Sequence, residues 1–435
     1  MKKISFAILL LLAMTLPARV TLSRAVADAW AINRGLDSQK LEEQAAAVAR
    51  QTALRRKSFT LRFNGGFRYS SDNIEVKAGD FPFPLGPLIS ADTVILATPN
   101  ASFDLNLSLL QPLYTGGLLA AAVQMETARG AAEKELTRLK RVELAGRVKA
   151  SYFNHLLLER KRDSLNSFLA GLDLHLKKVE NLHAEEQVRK SDLLEARAKA
   201  DEVRLNLHDL EQLMAAEAVQ FRSLCGHEPD EVDFHPGADA PAFAAAWEYF
   251  LSRHPLLRSL DGRAAQVAAR KRSAAAAYLP QVSAFAEAHY GRPGQNFFLN
   301  DWTLYFQGGL NFSLPVFNWN QRGRDLELAA IAGRKLENQR ADFLRDSERE
   351  LRRLYVTLES SARKLAILDG LALNAAEEVS LKEALYEEKQ IDHTILLAAM
   401  ANQERYLSNR GETLAQIEML KAAIDTVIGR CEEEP

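Results

Sequence analysis

The sequence repeats itself at one constant spacing, and this repeat constrains the fold more than any other feature. An offset of 203 residues holds from about residue 112 to about residue 226 without a gap. The matched pairs include Pro112 and Pro315, Tyr152 and Tyr355, Leu194 and Leu397, and Gly226 and Gly429. Upstream the offset is 220, so the first copy has about 17 extra residues between about Ser71 and Asn100.

This spacing predicts a chain built from one duplicated unit. The predicted segments are a signal peptide (1–18), repeat 1 (19–226), a linker containing Pro and Gly (227–241), repeat 2 (242–430) and a short tail (431–435). Each repeat has the same predicted order: a helix (about 22–57 and about 242–277), two strands, a very long helix, a tight reversal and a shorter returning helix. Length alone is typical of two or three domains.

The first eighteen residues have the pattern of a secretory signal peptide. Lys2 and Lys3 precede an apolar run from Ile4 to Leu16, and Pro17 and Ala18 close it. A short membrane anchor is the alternative, although a bilayer-spanning helix needs about 20 apolar residues. No cysteine follows the run, so a lipidated N-terminus is not expected. We therefore predict an exported chain.

Four segments alternate apolar and polar residues with the period of a β-strand. Their apolar members include Leu61, Phe63, Phe67 and Tyr69, then Phe103, Leu105, Leu107 and Leu109, then Leu304, Phe306, Leu310 and Phe312. The segment from Val282 to Tyr290 is weaker and rich in alanine. Glycines at 65, 66, 308 and 309 are easier to accept in a curved barrel wall than in a central soluble strand.

The long helices are predicted from coiled-coil spacing and from the absence of proline. Apolar residues step by four and three along a seam: Leu165, Leu169, Leu172, Leu176 and Val179. No proline occurs from Gly117 to about Gln187 or from Asn320 to about Lys389. Roughly 70 residues make a rod of about 105 Å. Rods of this length need neighbouring helices along their whole length.

The alternating strands predict a barrel that several chains share. Their second face is polar, and its members include Arg62, Asn64, Arg68, Asp104, Asn106, Glu287, Gln307 and Asn311. In a membrane barrel the apolar face meets lipid and the polar face meets water, and at least eight strands are needed for closure. An open edge in hydrocarbon costs several kcal/mol for each unpaired group. Three chains of four strands would give a barrel of 12.

Aromatic residues lie near the predicted strand ends, and two interpretations of them stay open. The residues are Tyr69, Tyr114, Tyr290, Trp302 and Trp319. They suit the aromatic girdles at the two membrane interfaces. They would equally suit an ordinary protein core.

Charge and motifs exclude several function classes. The chain has 55 basic and 57 acidic residues, so nothing favours a nucleic-acid partner. Catalytic motifs such as HExxH, GxSxG and the P-loop do not occur. We predict no enzyme activity, no catalytic residue, no metal site and no cofactor. His175 and His183 are expected on a helix surface, and a disulfide between Cys225 and Cys431 stays open.

The junctions between elements resemble those of the TolC-type outer-membrane efflux proteins, over nearly the whole mature chain. Residues 20–29 resemble the opening helix of that family, and residues 274–281 resemble its helix-to-strand junction. Residues 108–117 and 313–319 resemble two copies of its strand-to-helix junction. The junction residues themselves are Pro112, Gly116, Gly117, Pro280 and Pro315. Proline suits such places because it ends a strand ladder cleanly.

The resemblance implies a fold that is mainly α with a small β part. Each chain would contribute long coiled-coil helices and four transmembrane β-strands. A homotrimer would form a 12-stranded barrel in outer-membrane lipid, continued into the periplasm by an α-helical barrel. It also implies two partners, a periplasmic adaptor protein and an inner-membrane pump of the RND, ABC or MFS type. The expected function is a passive exit duct of a tripartite efflux or type I secretion system.

The resemblance also assigns roles at the helical tip, where the rods reverse. Tyr386 falls on a gate tyrosine of the family, and Asp192 and Asp392 are the other candidate pore-gate residues, with Asp392 a substitute for the family carboxylates that are missing here. Adaptor contacts would be Val188, Arg189, Lys190, Ser191, Gln390, Ile391, His393 and Thr394. Ile395 and Ala398 replace two gate carboxylates of the family, and Glu186 and Lys389 stand where its tips have glycine. Ser191 or Asp192 could instead cap the returning helix, and for Asp192 a charged ring and a simple N-cap both stay open.

A different class of protein also fits the helical pattern. A soluble periplasmic coiled-coil scaffold with a small β patch would have similar rods. Cell fractionation separates the two hypotheses, because a scaffold leaves with the periplasm and a duct stays in the outer membrane.

Overall fold

The computed structural model describes residues 20–83, 86, 89–233, 239–388 and 390–431. The predicted signal peptide, Lys389 and residues 432–435 lie outside them. The helices are α1 (Leu22–Ile32), α2 (Arg34–Arg55), α3 (Leu118–Ala184), α4 (Lys190–Cys225), α5 (Phe243–Arg253), α6 (Pro255–Ala276), α7 (Gln321–Glu387) and α8 (His393–Ile428). The strands are β1 (Val20–Thr21), β2 (Thr60–Tyr69), β3 (Glu75–Lys77), β4 (Val94–Ala97), β5 (Ala101–Tyr114), β6 (Val232–Asp233), β7 (Gln281–Arg292) and β8 (Thr303–Ser313). The predicted mainly helical fold with a small β part is confirmed.

The spacing of the sequence repeat recurs in the lengths of the helices. Helices α3 and α7 have 67 residues each, and α4 and α8 have 36 each. The second member of each pair begins 203 residues after the first. The short β3–β4 hairpin lies within the extra length of the first copy. Two chain segments of different sequence therefore form helices of equal length.

The single opening helix predicted for each repeat (about 22–57 and about 242–277) is wrong, because each is broken. Asn33 separates α1 from α2, and its side chain accepts a 2.9 Å hydrogen bond from the backbone N–H three residues later. His254 separates α5 from α6, and Pro255 begins α6. Proline is favoured at the first position of a helix and disfavours helical geometry in the residue before it.

The chain divides into two compact units. The sheet unit comprises residues 41–134 and 259–339. Its four long strands are antiparallel in the order β2-β5-β7-β8, so β5 of the first repeat pairs with β7 of the second. Within the described part of the chain, β2 and β8 each have a neighbour on one side only. The sheet is therefore open at both edges.

The junction between β5 and α3 depends on two glycines. Gly116 has φ +60° and Gly117 has φ +90°, which are conformations that side chains disfavour. A Cβ on Gly116 would lie 2.5 Å from the Cβ of Leu279, so this position excludes a larger residue. The glycine pair therefore lets the chain turn from strand into helix close to the neighbouring segment.

The junction prolines differ in their positions. Pro280 immediately precedes β7, and Pro315 follows the end of β8, as expected. Pro112 was expected between strand and helix, but it lies inside β5, opposite Ser283, where the register of the ladder shifts. A proline is tolerated there because an irregular ladder does not need its missing N–H.

The helical unit comprises residues 20–40, 135–258 and 340–431 of the described chain. One of its cores packs α1 against α3 and α4, with Val26, Val148 and Phe221 almost fully buried. Cys225 lies in this core and Cys431 packs against it, but neither forms a disulfide in the part of the chain that the structure describes. A second core surrounds Phe250 in α5. A third joins α3, α4, α7 and α8 near their reversals.

Candidate functional site

One face of the sheet is apolar and is not covered by the chain itself. The pairing places Phe63, Leu107, Ala288 and Phe306 in one row across all four strands. Large apolar side chains on this face are 40–74% exposed; they are Leu61, Phe63, Phe67, Tyr69, Phe103, Leu105, Leu107, Leu304, Phe306, Leu310 and Phe312. A soluble monomer rarely exposes a continuous apolar patch of this kind. The face is therefore suited to lipid or to another apolar partner.

The opposite face carries a hydrogen-bonded cluster around His289. Nδ1 of His289 donates to Asp104 over 3.0 Å, and its Nε2 accepts from the side-chain amides of Asn106 and Gln307, each over 3.1 Å. The ring lies parallel to that of Tyr305, with centroids 4.8 Å apart. Three of the polar residues predicted for this face, Asp104, Asn106 and Gln307, are thus joined through His289 across three strands. Such a surface suits contact with water.

The aromatic residues near the strand ends are not core residues. Tyr69, Tyr114, Tyr290, Trp302 and Trp319 are all at least 45% exposed. Tyr290 and Trp302 stack with ring centroids 5.0 Å apart. The core interpretation of these residues is therefore wrong. The interfacial girdle remains as a prediction.

None of the helices in the described part of the chain is both long enough and apolar enough to cross a bilayer.

In the helical unit, two tight reversals form what we call the helical tip: the end of α3 with the start of α4, and the end of α7 with the start of α8. Glu186 has φ 58°, so it adopts the left-handed conformation for which the resemblance led us to expect glycine. The backbone N–H of Gln187 donates to the Leu182 carbonyl over 2.8 Å and closes the first turn. Lys389 of the second reversal lies outside the described residues.

Asp192 accepts a backbone hydrogen bond at the start of α4. The N-cap position is Arg189, so the expectation that Ser191 or Asp192 occupies it is wrong. The Asp192 carboxylate instead reaches back from the third helical position and accepts the Arg189 N–H over 3.2 Å. A carboxylate in the first turn is also stabilised by the helix dipole. Asp392 is the N-cap residue of α8, is exposed and makes no side-chain capping bond.

The buried seam of α3 differs from the predicted one. Leu165, Leu172 and Val179 are buried as expected, but Leu169 and Leu176 are only partly buried. Their places in the seam are taken by the residues one position earlier, Phe168 and His175. His175 is 4% exposed, so the expectation of a surface histidine is wrong for it. His183 on the same helix is partly exposed.

His175 meets residues from the other hairpin in the interior of the tip. Its ring centroid lies 5.8 Å from that of His393, with the planes 9° apart, and 5.2 Å from that of Tyr386. Nε2 of His393 lies 3.3 Å from a carboxylate oxygen of Glu195. All four helices thus contribute one polar side chain to this contact. Nothing in the sequence pattern indicated it, because the residues are far apart along the chain.

Burial shifts the acid–base behaviour of this group. Desolvation, together with the nearby His393 and Lys178, lowers the pKa of His175 from 6.5 to about 4. Desolvation and the negative charge of Asp192 raise the pKa of Tyr386. Both side chains are therefore neutral at pH 7.

Ion pairs surround the tip on its exposed side. Lys178 of α3 and Glu387 of α7 approach to 2.7 Å and link the two hairpins. The hydrogen bond from Lys178, and then its positive charge, lowers the pKa of Glu387. Arg204 of α4 pairs with Asp173 of α3 at 2.6 Å within the first hairpin. Exposed ion pairs of this kind are individually weak, so each contributes little to the stability of the tip.

The residues proposed to contact an adaptor are mostly accessible. Arg189, Lys190, Ser191, Gln390 and Thr394 are exposed, and Val188 and Ile391 are partly exposed. His393 is different, because it is 6% exposed and faces His175. In this structure His393 belongs to the interior of the tip, and a contact of His393 with an adaptor stays a prediction.

The chain is similar to known proteins in sequence over part of its length and in fold over nearly all of it. Residues 248–430 match the family model described as Outer membrane efflux protein. No curated protein sequence matches the chain significantly. The resemblance to the efflux proteins is confirmed over residues 248–430, which include the junction motifs at 274–281 and 313–319.

Solved structures extend the likeness to the whole fold. CusC has a TM-score of 0.77 at 15% identity, and the match covers 94% of this chain and 92% of CusC. The outer membrane protein VceC of Vibrio cholerae has a TM-score of 0.76 at 15% identity, with 95% and 97% covered. The open state of the MtrE outer membrane channel of Neisseria gonorrhoeae has a TM-score of 0.75 at 13% identity, with 95% and 89% covered.

Proposed function

We propose that the protein is the outer-membrane exit duct of a tripartite efflux or type I secretion system. The observation that carries this proposal is the uncovered apolar row through Phe63, Leu107, Ala288 and Phe306, on a sheet with both edges open. Lipid is the partner that suits this face, and the polar face around His289 suits a wet lumen. The chain itself performs no reaction in this proposal.

The open edges favour a homotrimer. An unpaired N–H or C=O group in hydrocarbon costs several kcal/mol, so β2 and β8 need partners in a membrane. Pairing β2 of one copy with β8 of the next satisfies both edges at once. Three copies then give a barrel of 12 strands, which is above the minimum of eight. The helices would continue the conduit as an α-helical barrel in the periplasm.

The helical tip is the proposed gate and docking site. Asp192, Tyr386 and Asp392 lie at the two reversals and would line the closed pore. The exposed tip residues around Arg189 and Gln390 would meet a periplasmic adaptor protein. An inner-membrane pump of the RND, ABC or MFS type would supply the energy, and opening would consist of small movements of the two hairpins.

Cross-linking and blue-native electrophoresis of protein extracted in mild detergent test the assembly. A trimer is expected, and a monomer would contradict the proposal. Fractionation tests the location, because a soluble periplasmic scaffold would be released with the periplasm. Reconstitution into planar bilayers tests the conduit itself. Stable single-channel currents are expected from the trimer, and a folded trimer without current would contradict a duct.

A further inference from the structure

The interior of the helical tip has an unusual polar composition. Tyr386 of α7 packs against the apolar third core, and the buried ring of His175 of α3 contacts both Tyr386 and His393 of α8. Among the residues that the structure describes, Nε2 of His175, Nδ1 of His393 and Oη of Tyr386 are buried and have no hydrogen-bond partner. Buried polar atoms without partners are rare in proteins and cost about 1–3 kcal/mol each. Apolar residues at these positions would give a more stable core.

We propose that the contact between His175 and His393 is an acid-sensitive latch that joins the two hairpins of the tip when the His175 ring is neutral and releases them when that ring gains a proton. The latch is formed between helices of the two different hairpins, so its release changes how they pack. Its consequence for transport depends on the proposed function, in which the tip is the gate.

The charges around the latch give the two histidines different roles. His393 has the carboxylate of Glu195 3.3 Å from its Nε2. His175 has positively charged or neutral neighbours: Lys178 on its own helix, His393 on α8 and Tyr386 on α7. Asp192 of α4 acts on Tyr386, and Glu387 of α7 is engaged by Lys178. A proton on His175 therefore adds a buried cation beside another imidazole.

The direction of the pH effect follows from the burial of His175. Its pKa is about 4 in the closed tip and 6.5 in solvent, so the closed state binds the proton more weakly than a loosened state does. The stabilisation of the closed tip is complete above about pH 6.5 and is lost as the pH falls toward about 4. At pH 5 this difference favours the loosened state by about 20-fold relative to pH 7.

The test compares the full-length protein in mild detergent at pH 7 and pH 5 by two measurements. Hydrogen–deuterium exchange, corrected for intrinsic rates, reports opening of residues 172–180 and 393–400. Planar-bilayer recording reports the open probability. The variants are His175→Gln, which keeps a polar side chain without a titratable ring, and His175→Phe, which keeps an aromatic ring. His208→Gln is the matched control, because His208 is an exposed histidine of α4.

The unmodified protein and the His208→Gln control should exchange up to about 20-fold faster at the tip at pH 5 than at pH 7. Both His175 variants should lose this acceleration. Equal acceleration in the His175 variants, or none in the unmodified protein, would overturn the latch. If channel currents are present but neither the currents nor the hydrogen–deuterium exchange depends on pH, the latch is wrong and the duct is not contradicted. Acid-dependent exchange without any current would support the latch and contradict the duct.

Discussion

Phe63 lies directly opposite Leu107 in the β2–β5 ladder, and neither side chain is covered by another part of the described chain. Their row continues through Ala288 to Phe306, so one face of the sheet is apolar from edge to edge. Asn64, the next residue along β2, belongs to the opposite, polar face. Two adjacent residues of one strand therefore have different expected surroundings, lipid for one and water for the other.

This difference predicts unequal effects of the same substitution. Phe63→Arg places a charge on the apolar face near the middle of β2, where a membrane would cost it about 2–4 kcal/mol. Asn64→Arg places the same charge on the polar face and should cost little. The measurement is the fraction of folded protein in the outer membrane, read by heat-modifiable electrophoresis. Equal loss in both variants would contradict a lipid-facing surface.

The junction glycines predict a local effect on stability. Gly116→Ala combines a positive φ with a clash against Leu279, so we expect a loss of at least about 2 kcal/mol. Gly117→Ala has the positive φ but no atom within 4 Å of the added carbon. It should therefore cost less, through backbone strain alone. Thermal melting of the detergent-solubilised protein should rank the two variants in this order, and the reverse order would contradict the described junction.

The pair of Lys178 and Glu387 predicts a modest effect on the closed tip. Lys178→Glu places two carboxylates together across the hairpins and should raise the open probability by no more than about fivefold, because the pair is exposed. The double variant Lys178→Glu with Glu387→Lys restores opposite charges and should return the open probability toward its original value. Single-channel recording at low salt measures both. A double variant that leaks more than the single one would show that the pair does not join the hairpins.

His254 predicts a loss of stability in acid that is separate from the tip. Burial lowers its pKa to about 4, below its ordinary value of 6.5, and its ring packs against Phe250 and Phe343. Its contribution to stability is therefore full above about pH 6.5 and is lost as the pH falls toward about 4. The whole loss amounts to about 3 kcal/mol.

Nδ1 of His254 accepts the backbone N–H of Leu256 at the start of α6 over 3.1 Å. The variant His254→Asn keeps a side-chain acceptor at this position but removes the titratable ring. It should melt at a lower temperature at pH 7, and its melting temperature should fall less between pH 7 and pH 4 than that of the unmodified protein. The exposed His208→Asn is the control and should follow the unmodified profile. An identical acid dependence in His254→Asn would show that His254 does not titrate as described.

Patterns along the chain determined much of this fold. The offset of 203 predicted two helix pairs that recur, and alternation with period two predicted which strand residues share a face. Both properties are local, because a strand shows every second residue to one side and a repeat keeps its element lengths. The junction glycines were likewise readable, since few other residues adopt a positive φ.

Packing between distant segments decided the rest. A heptad pattern counts positions on one helix, but the buried face of α3 depends on where α4, α7 and α8 lie against it. For that reason the sequence selected Leu169 and Leu176 for the seam, whereas the tertiary structure buries Phe168 and His175. The contact of His175 with His393 joins residues more than 200 positions apart, so only the folded chain brings the two imidazoles together.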